Sequence, residues 1–200
     1  MESKRVFTRA NGKVVTLPFF IRMFISAILP RMRTNDQIME IKSTLTNRSG
    51  QILDLVYRED DPLKNLEGKV LQGVHAFCFF KGKLVVVYAA EKGYWTPPGG
   101  GIEPGETYEQ AVVREVKEET NMKVLSHELI GYQDVCEPNR IVRQTRSFCL
   151  VEPYGPFEKD PDGDITEIKL IDPRDYKKYF DWGEVGERIM GRAVGMLGGK

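Results

Sequence analysis

Three carboxylates at helical spacing are the chemistry-bearing feature of this chain. Glu115, Glu118 and Glu119 stand at i, i+3 and i+4, so a helix carrying them shows all three on one face. Like charges so placed cost an isolated helix about 0.2–0.5 kcal/mol per pair. A divalent cation with oxygen ligands is the natural counter-charge. Arg114, next to the cluster, reaches Glu118 one turn on, or a loop carboxylate such as Glu106. An arginine held in that way orients ligand carboxylates rather than touching a substrate. The segment EVKEE alone would read as a solvated acidic helix face; its surroundings decide otherwise.

Those surroundings are built to position the carboxylates. Pro97, Pro98, Gly99, Gly100 and Gly101 enforce a non-helical loop whose backbone can come close to a ligand. Pro104-Gly105 adds a turn, and Thr107 with Gln110 forms a T-x-x-Q capping box. The pattern predicts a helix to about Thr120, stopped by Asn121 in a left-handed conformation. Val112, Val113 and Val116 form a stripe for packing on a sheet, with Gln110 and Lys117 toward solvent. Upstream, Val74, Ala76, Cys78 and Phe80 alternate with His75, Phe77 and Phe79, Lys81-Gly82 offers a turn, and KLVVVYAA reads as a buried strand. Further strands are expected near 123–135, 141–152 and at ITEIKLI. One or two helices follow to the end, with Val185, Ile189, Ala193, Val194 and Leu197 near helical spacing. His75 on its aromatic face reads as a histidine satisfied within the sheet, and His127 supports no role.

Gly100, five residues, Glu106, seven residues, then Arg114-Glu115-Val116-x-Glu118-Glu119 matches G-x5-E-x7-R-E-U-x-E-E-x-G-U, with U aliphatic. This is the Nudix box, and the chain resembles the Nudix hydrolase superfamily, MutT-like members included. The box covers Gly100–Met122. Trp95-x-x-Pro98-Gly99-Gly100 and Glu103-x-Gly105-Glu106 resemble the usual entry into it. One fixed position departs: Asn121 stands where the box has its penultimate glycine. Asparagine tolerates the left-handed region, so a small stability cost and no lost chemistry are expected.

The resemblance implies an α/β fold, an α/β/α sandwich around a mixed β-sheet. It implies a pyrophosphohydrolase that cleaves the pyrophosphate bond of a nucleoside diphosphate linked to another moiety, by attack of water assisted by Mg²⁺, or Mn²⁺. Carried over by position, Glu115, Glu118, Glu119 and the Gly100 carbonyl are metal ligands, with Arg114 as their orienting partner. The general base comes from Glu118 or Glu119 within the box, or from Glu167, in a segment resembling the one that supplies a glutamate in many members. DPDGD just before it, with Asp162 and Asp164, reads equally as a solvated turn or as part of the site. Trp95 and Tyr94 are candidates for contact with a nucleotide-type small-molecule substrate; Phe79, Tyr132 and Tyr154 could also stack on a base, although aromatics near strands are more often core. Pro138 resembles a proline of ADP-ribose pyrophosphatases. Nucleoside triphosphates and ADP-ribose-like substrates both remain open. The rival reading is a catalytically silent sensor of a nucleotide derivative, but silent members usually lose glutamates that this box keeps.

Composition is that of a soluble globular protein: 200 residues, 41% hydrophobic, 29% charged, with a formal net charge of zero. No stable nucleic-acid complex is expected from that balance. Cys78, Cys136 and Cys149 form no C-x-x-C pair, which suits a reduced, cytoplasmic location. The neutral total hides an asymmetry, because residues 1–33 carry seven basic residues against Glu2 alone. Within them, Val14–Pro30 is apolar but interrupted by Arg22, a poor transmembrane or secretory segment. It reads as a helical arm packing on the domain or on a second subunit in a homodimer, ahead of a membrane-surface helix or transit peptide. Residues 1–68 are thus read as an N-terminal extension and 69–200 as the Nudix hydrolase domain. In the connector, DQIMEIKSTL has near-helical spacing and QILDLVY reads as a short strand.

Overall fold

The computed structural model describes residues 39–199, save 48, 159 and 162, together with two short strands near the N-terminus. These two, β1 (Arg9–Ala10) and β2 (Lys13–Val14), pair antiparallel. The rest of the apolar run to Pro30, with the arm expected there, lies outside the described residues. Two compact units divide the chain, Met1–Gln37 and Ile38–Lys200.

The second unit is built on one mixed sheet. Its strands are β3 (Glu40–Thr46), β4 (Ile52–Arg58), β5 (Lys69–Phe80), β6 (Lys83–Ala89), β7 (Tyr94–Thr96), β8 (Met122–Glu137), β9 (Arg140–Pro153) and β10 (Ile165–Ile171). They lie in the order β10-β6-β5-β9-β8-β4-β3, with β7 paired to β6. β5 and β9 run parallel through the middle, and every other pair is antiparallel. Lys81 (φ 48°) and Gly82 (φ 75°) both take left-handed conformations, the geometry a two-residue hairpin needs between β5 and β6.

Helices cover both faces, which is why the central strands are apolar on both sides. Helix α1 (Tyr108–Thr120) lays Ala111, Val112 and Val116 on Val74, Ala76, Cys78 and Cys149. Helix α2 (Gly183–Gly198), preceded by a 3-10 helix at Pro173–Lys178, lays Val185, Ile189 and Ala193 on Phe77, Phe79, Leu84 and Phe148. The sandwich is the one the resemblance implied. Phe79 is core and Tyr132 lies under the Arg143 guanidinium at 3.8 Å, so neither is free to stack on a ligand. Val113 is also displaced from its expected stripe: it is exposed, one helical step beyond the buried Val112. Among the described residues no helix is long and apolar enough to cross a membrane.

The connector differs from the helical spacing of DQIMEIKSTL. Glu40–Thr46 is a strand, paired along its whole length with β4, which in turn pairs with β8. Ile41 and Leu45 satisfy either period, and the available neighbour strand decides between them. The hairpin belongs to the compact unit that begins at Ile38, upstream of the expected start near residue 69. A buried charge network ties the loop after β4 to the sheet. Arg143 bonds both Asp134 oxygens (2.7 and 3.0 Å) and the carbonyls of Pro62 and Lys64, and Lys69 joins at 2.7 Å. Burial would raise the Asp134 carboxyl, but Arg143 and Lys69 more than offset it and hold it below its ordinary range.

Candidate active site

The glycine loop meets α1 across the end of β5. Pro98 and Gly100 carbonyls accept the Ala76 and Val74 amides at 2.8 and 3.0 Å, so the loop runs as a short extra strand. Alternation along such a segment turns the Gly99 carbonyl to the opposite side. Gly99 has to be glycine: a Cβ there would stand 2.1 Å from the Val74 carbonyl oxygen. A Cβ on Gly100 would lie 2.5 Å from a Glu115 carboxylate oxygen, so the loop backbone is pressed directly against that carboxylate.

Helix α1 starts as its capping box requires. Thr107 accepts from the Gln110 amide, the Gln110 side chain accepts from the Thr107 amide, and Asn121 closes the helix at φ 52°, ψ 38°. Asn121 does more than a glycine could, since its side chain donates to the Pro156 carbonyl at 2.8 Å and tethers the strand exit after β9.

Arg114 organises the carboxylates. It bonds Glu106 through Nε and Nη2 (3.0 Å each), Glu115 at 2.9 Å, Glu118 at 3.0 Å and the Gly101 carbonyl at 2.7 Å. These contacts, Glu106 foremost, raise the arginine further and hold Glu106 below the usual carboxylate range. Both partners expected for Arg114 are thus engaged at once, and two more besides. Glu115 is raised, chiefly by burial and despite Arg114, with Glu118 and Asp160 adding to the rise. Glu119 lies deeper. Burial, with the charges of Glu115 and Asp160, pushes it up to about 8 although the Gly99 amide donates to it at 2.8 Å.

A divalent cation fits this donor set. Carboxylates raised by burial and by one another are short of positive charge, and a cation supplies it. Among the described residues no three His, Cys, Asp or Glu side chains are grouped so that they could hold a metal ion by themselves. Mg²⁺ needs no such group, because it takes one or two carboxylates and fills its shell with water and phosphate oxygens. Of the three box glutamates, Glu118 lines an open cleft of about 830 Å³, bounded by Val113, Arg114 and Lys117 of α1 and by Glu158 and Pro161 of the β9–β10 loop.

Other sequence candidates are placed less favourably. The Gly100 carbonyl, expected as a ligand, accepts the Val74 amide at 3.0 Å and keeps a second lone pair. Glu167 does not join the cluster. Ile168, partly buried, packs against the cluster under α1, so its neighbours Glu167 and Lys169 point to the other face, where Lys169 lies 4.2 Å over Trp95 and 4.0 Å from Glu167. Trp95 packs edge-on to Tyr179 and beside Tyr88 on that face, and Tyr94 is exposed on β7.

The carboxylate that the β9–β10 loop does bring toward α1 is Asp160, buried and missed in the sequence. Its charge acts on Glu115 and Glu119, and its Oδ2 accepts the Asp164 and Ile165 amides at 3.0 and 3.1 Å. The turn-like DPDGD was the available signal; Asp162 lies outside the described residues.

Comparison with known proteins agrees with this geometry. Residues 71–190 match the NUDIX domain. A MutT-like protein of Streptomyces ambofaciens is 38% identical over 107 residues, 47% of this chain and 70% of that one. YtkD of Bacillus subtilis, provisionally named an 8-oxo-dGTP diphosphatase, is 35% identical over 79 residues, 40% of this chain; the match spans about half of YtkD, 49%. In structure, the Bacillus subtilis pyrophosphohydrolase BsRppH is similar with a TM-score of 0.59 at 22% identity, over 78% of this chain and 98% of that one. With loop, capped helix and clustered glutamates in this arrangement, the chain belongs to the Nudix family.

Proposed function

We propose that the chain is a pyrophosphohydrolase acting on a nucleoside diphosphate linked to a further group. The observation that carries this reading is the Arg114 network, which fixes Glu115 and Glu118 in place while Glu119 waits, raised to about 8, on the Gly99 amide. An arginine engaged by three carboxylates and a carbonyl holds ligands in a preset geometry, so little reorganisation is needed during reaction.

Glu115, Glu118, Glu119 and the Gly99 carbonyl would hold Mg²⁺ or Mn²⁺. When bound, the cation neutralises the diphosphate and lowers the pKa of water. The protein's own residues do the rest. Gly99 and Gly100 bring backbone against the site with no side chain to obstruct the diphosphate. Glu118, facing the cleft with one oxygen held by Arg114, accepts the proton of the attacking water. Asp160 adds a fourth carboxylate beside Glu115 and Glu119. Displacement at phosphorus is in line, so positioning and charge stabilisation supply most of the rate. The names of the relatives, a MutT-like protein and an 8-oxo-dGTP diphosphatase, support nucleoside triphosphates as the first substrates to try.

The test is nucleotide release from nucleoside triphosphates, ADP-ribose, dinucleoside polyphosphates and nucleotide sugars, with Mg²⁺ or Mn²⁺, for wild type and Glu118→Gln. Turnover of one class, lost in the variant, is the expected result. Binding without turnover across the panel would replace the hydrolase with a sensor.

A further inference from the structure

The large sheet has two free edges, and they are not alike. At one end β10 carries a bulge between Ile165 and Glu167 and sets the charged Glu167 and Lys169 side by side, devices that blunt an edge. At the other end β3 runs all 7 of its residues against β4 without a shift in register. Among the described residues no strand lies on the outer side of β3.

Backbone bonds at the two ends of β3 show which of its groups are free. Glu59 donates to the Met39 carbonyl at 3.2 Å, and Asn47 donates to the Gln51 carbonyl at 2.9 Å, so the odd-numbered residues between them bond to β4. The N–H and C=O groups of Glu40, Lys42, Thr44 and Thr46 therefore point outward, and all four residues are exposed. On the α2 face the side chains of this edge are apolar but unequally covered. Ile41 is 8% exposed, within the cluster under α2. Leu45 is 49% exposed, opposite Leu53 at the rim of a small cluster that Leu53 forms with Leu55, Val135 and Val142.

We propose that β3 pairs antiparallel with β3 of a second copy of this chain, about a two-fold axis through Ser43. A two-fold across a free edge makes an isologous pair, in which each contact occurs twice. An axis that passes through a residue brings outward groups opposite outward groups; an axis between residues does not. With the axis at Lys42, like charges stand opposite each other and Leu45 is left unpaired. With the axis at Thr44, Ile41 is left unpaired. At Ser43 the whole strand is used: Glu40 meets the partner's Thr46, Ile41 the partner's Leu45, and Lys42 the partner's Thr44. No like charges face each other there, and Lys42 keeps Glu40 beside it at 3.5 Å. Each exposed Leu45 gains the partner's Ile41 as an apolar neighbour, which closes the open end of the small cluster.

One strand pair is a small interface, so the dimer is concentration-dependent, with a dissociation constant on the order of 1–100 µM. Helix α1 packs on β5, β8 and β9, so the glutamate cluster is carried by other strands than the pairing edge. The proposal therefore stands or falls independently of the hydrolase reading.

The experiment is sedimentation equilibrium of the full chain from about 1 to 500 µM, which brackets that range, for wild type and Thr44→Pro, with a thermal melt of each. Thr44 presents its N–H on the outer side only, where an edge strand tolerates proline, so the fold is kept while each chain loses one donor from the pairing. The expected result is a monomer–dimer equilibrium in wild type whose dissociation constant rises about tenfold or more in Thr44→Pro. A wild type that stays monomeric throughout, or a dimer that Thr44→Pro does not weaken, overturns the proposal. The position of the axis has its own test at the half-buried Ser43. Ser43→Lys and Ser43→Glu each place like charges opposite on the axis and should dimerise weakly. An equimolar mixture of the two should pair about tenfold or more tightly than either alone. A mixture no tighter than its components overturns the pairing. If Thr44→Pro fails to fold, the Ser43 variants decide in its place.

Discussion

The Gly99 amide donates to the Glu119 carboxylate at 2.8 Å, and that carboxylate is nonetheless raised to about 8. One hydrogen bond does not compensate burial beside Glu115 and Asp160. The folded value exceeds the ordinary 4.5, so the fold favours the neutral carboxyl. That contribution is fully present below pH 4.5 and is lost as pH rises through about 8. The metal-free protein should therefore lose melting temperature between pH 5 and pH 9, and Glu119→Gln should lose less of it and become the more stable protein at the alkaline end. Thermal melts in chelator across that range check this. Parallel pH profiles for the two proteins would count against it.

Arg114 makes five hydrogen bonds through a planar fork, and lysine offers a single ammonium on a flexible stem. Arg114→Lys should keep the charge and lose the geometry. Turnover should drop about 100-fold, the order expected when ligands shift by about 1 Å. Stability should fall by roughly 1–3 kcal/mol, since Glu106 and Glu115 are left with fewer donors. Steady-state kinetics and urea unfolding separate the two effects. A lysine variant with wild-type turnover would show that charge alone suffices.

Asp160 and Glu167 test which part of the β9–β10 segment serves the site. Asp160 is buried, with its charge on Glu115 and Glu119; Glu167 is exposed near Lys169 on the far face. Glu167→Gln should match wild type across pH, whereas Asp160→Asn should lower kcat by about tenfold or more, which is about 1.4 kcal/mol of transition-state stabilisation. Asp160→Asn keeps an acceptor for the Asp164 and Ile165 amides, so the loop should fold. Loss of activity in the glutamine variant alone would reverse the assignment.

Why the sequence spoke for one carboxylate and not the other is a matter of range. The box is local: a capping box, i, i+3 and i+4 spacing and glycines that must be glycines are all written within a few turns of chain. Arg114 reaching Glu106 was legible for the same reason. Asp160, by contrast, acts on Glu119 across 41 positions of sequence, and only the turn of DPDGD brings it there. Arg146 and His75 meet through a parallel pairing of β5 with β9, which no local pattern specifies. β3 was misread for a related reason, because its apolar residues fit two periods and the deciding partner is β4. Glu167 was offered by resemblance alone, and strand alternation with Ile168 sets its side chain on the face away from α1.

The glycine loop gives the sharpest contrast between neighbours. A Cβ on Gly99 would stand 2.1 Å from the Val74 carbonyl oxygen and 2.8 Å from the His75 Cα, both backbone atoms of a central strand that cannot give way. A Cβ on Gly101, two residues on, meets nothing within 4 Å. Gly99→Ala should therefore push the loop off β5, breaking the Ala76–Pro98 and Val74–Gly100 bonds and withdrawing the amide from Glu119. The cost should be about 1–3 kcal/mol of stability, the usual range for overpacking, with loss of turnover well beyond what that stability change explains. Gly101→Ala should remain within about 0.5 kcal/mol of wild type, as surface substitutions do. Chemical denaturation of both variants checks the pair. Equal destabilisation would mean that the close approach of loop to strand is not what requires glycine at position 99.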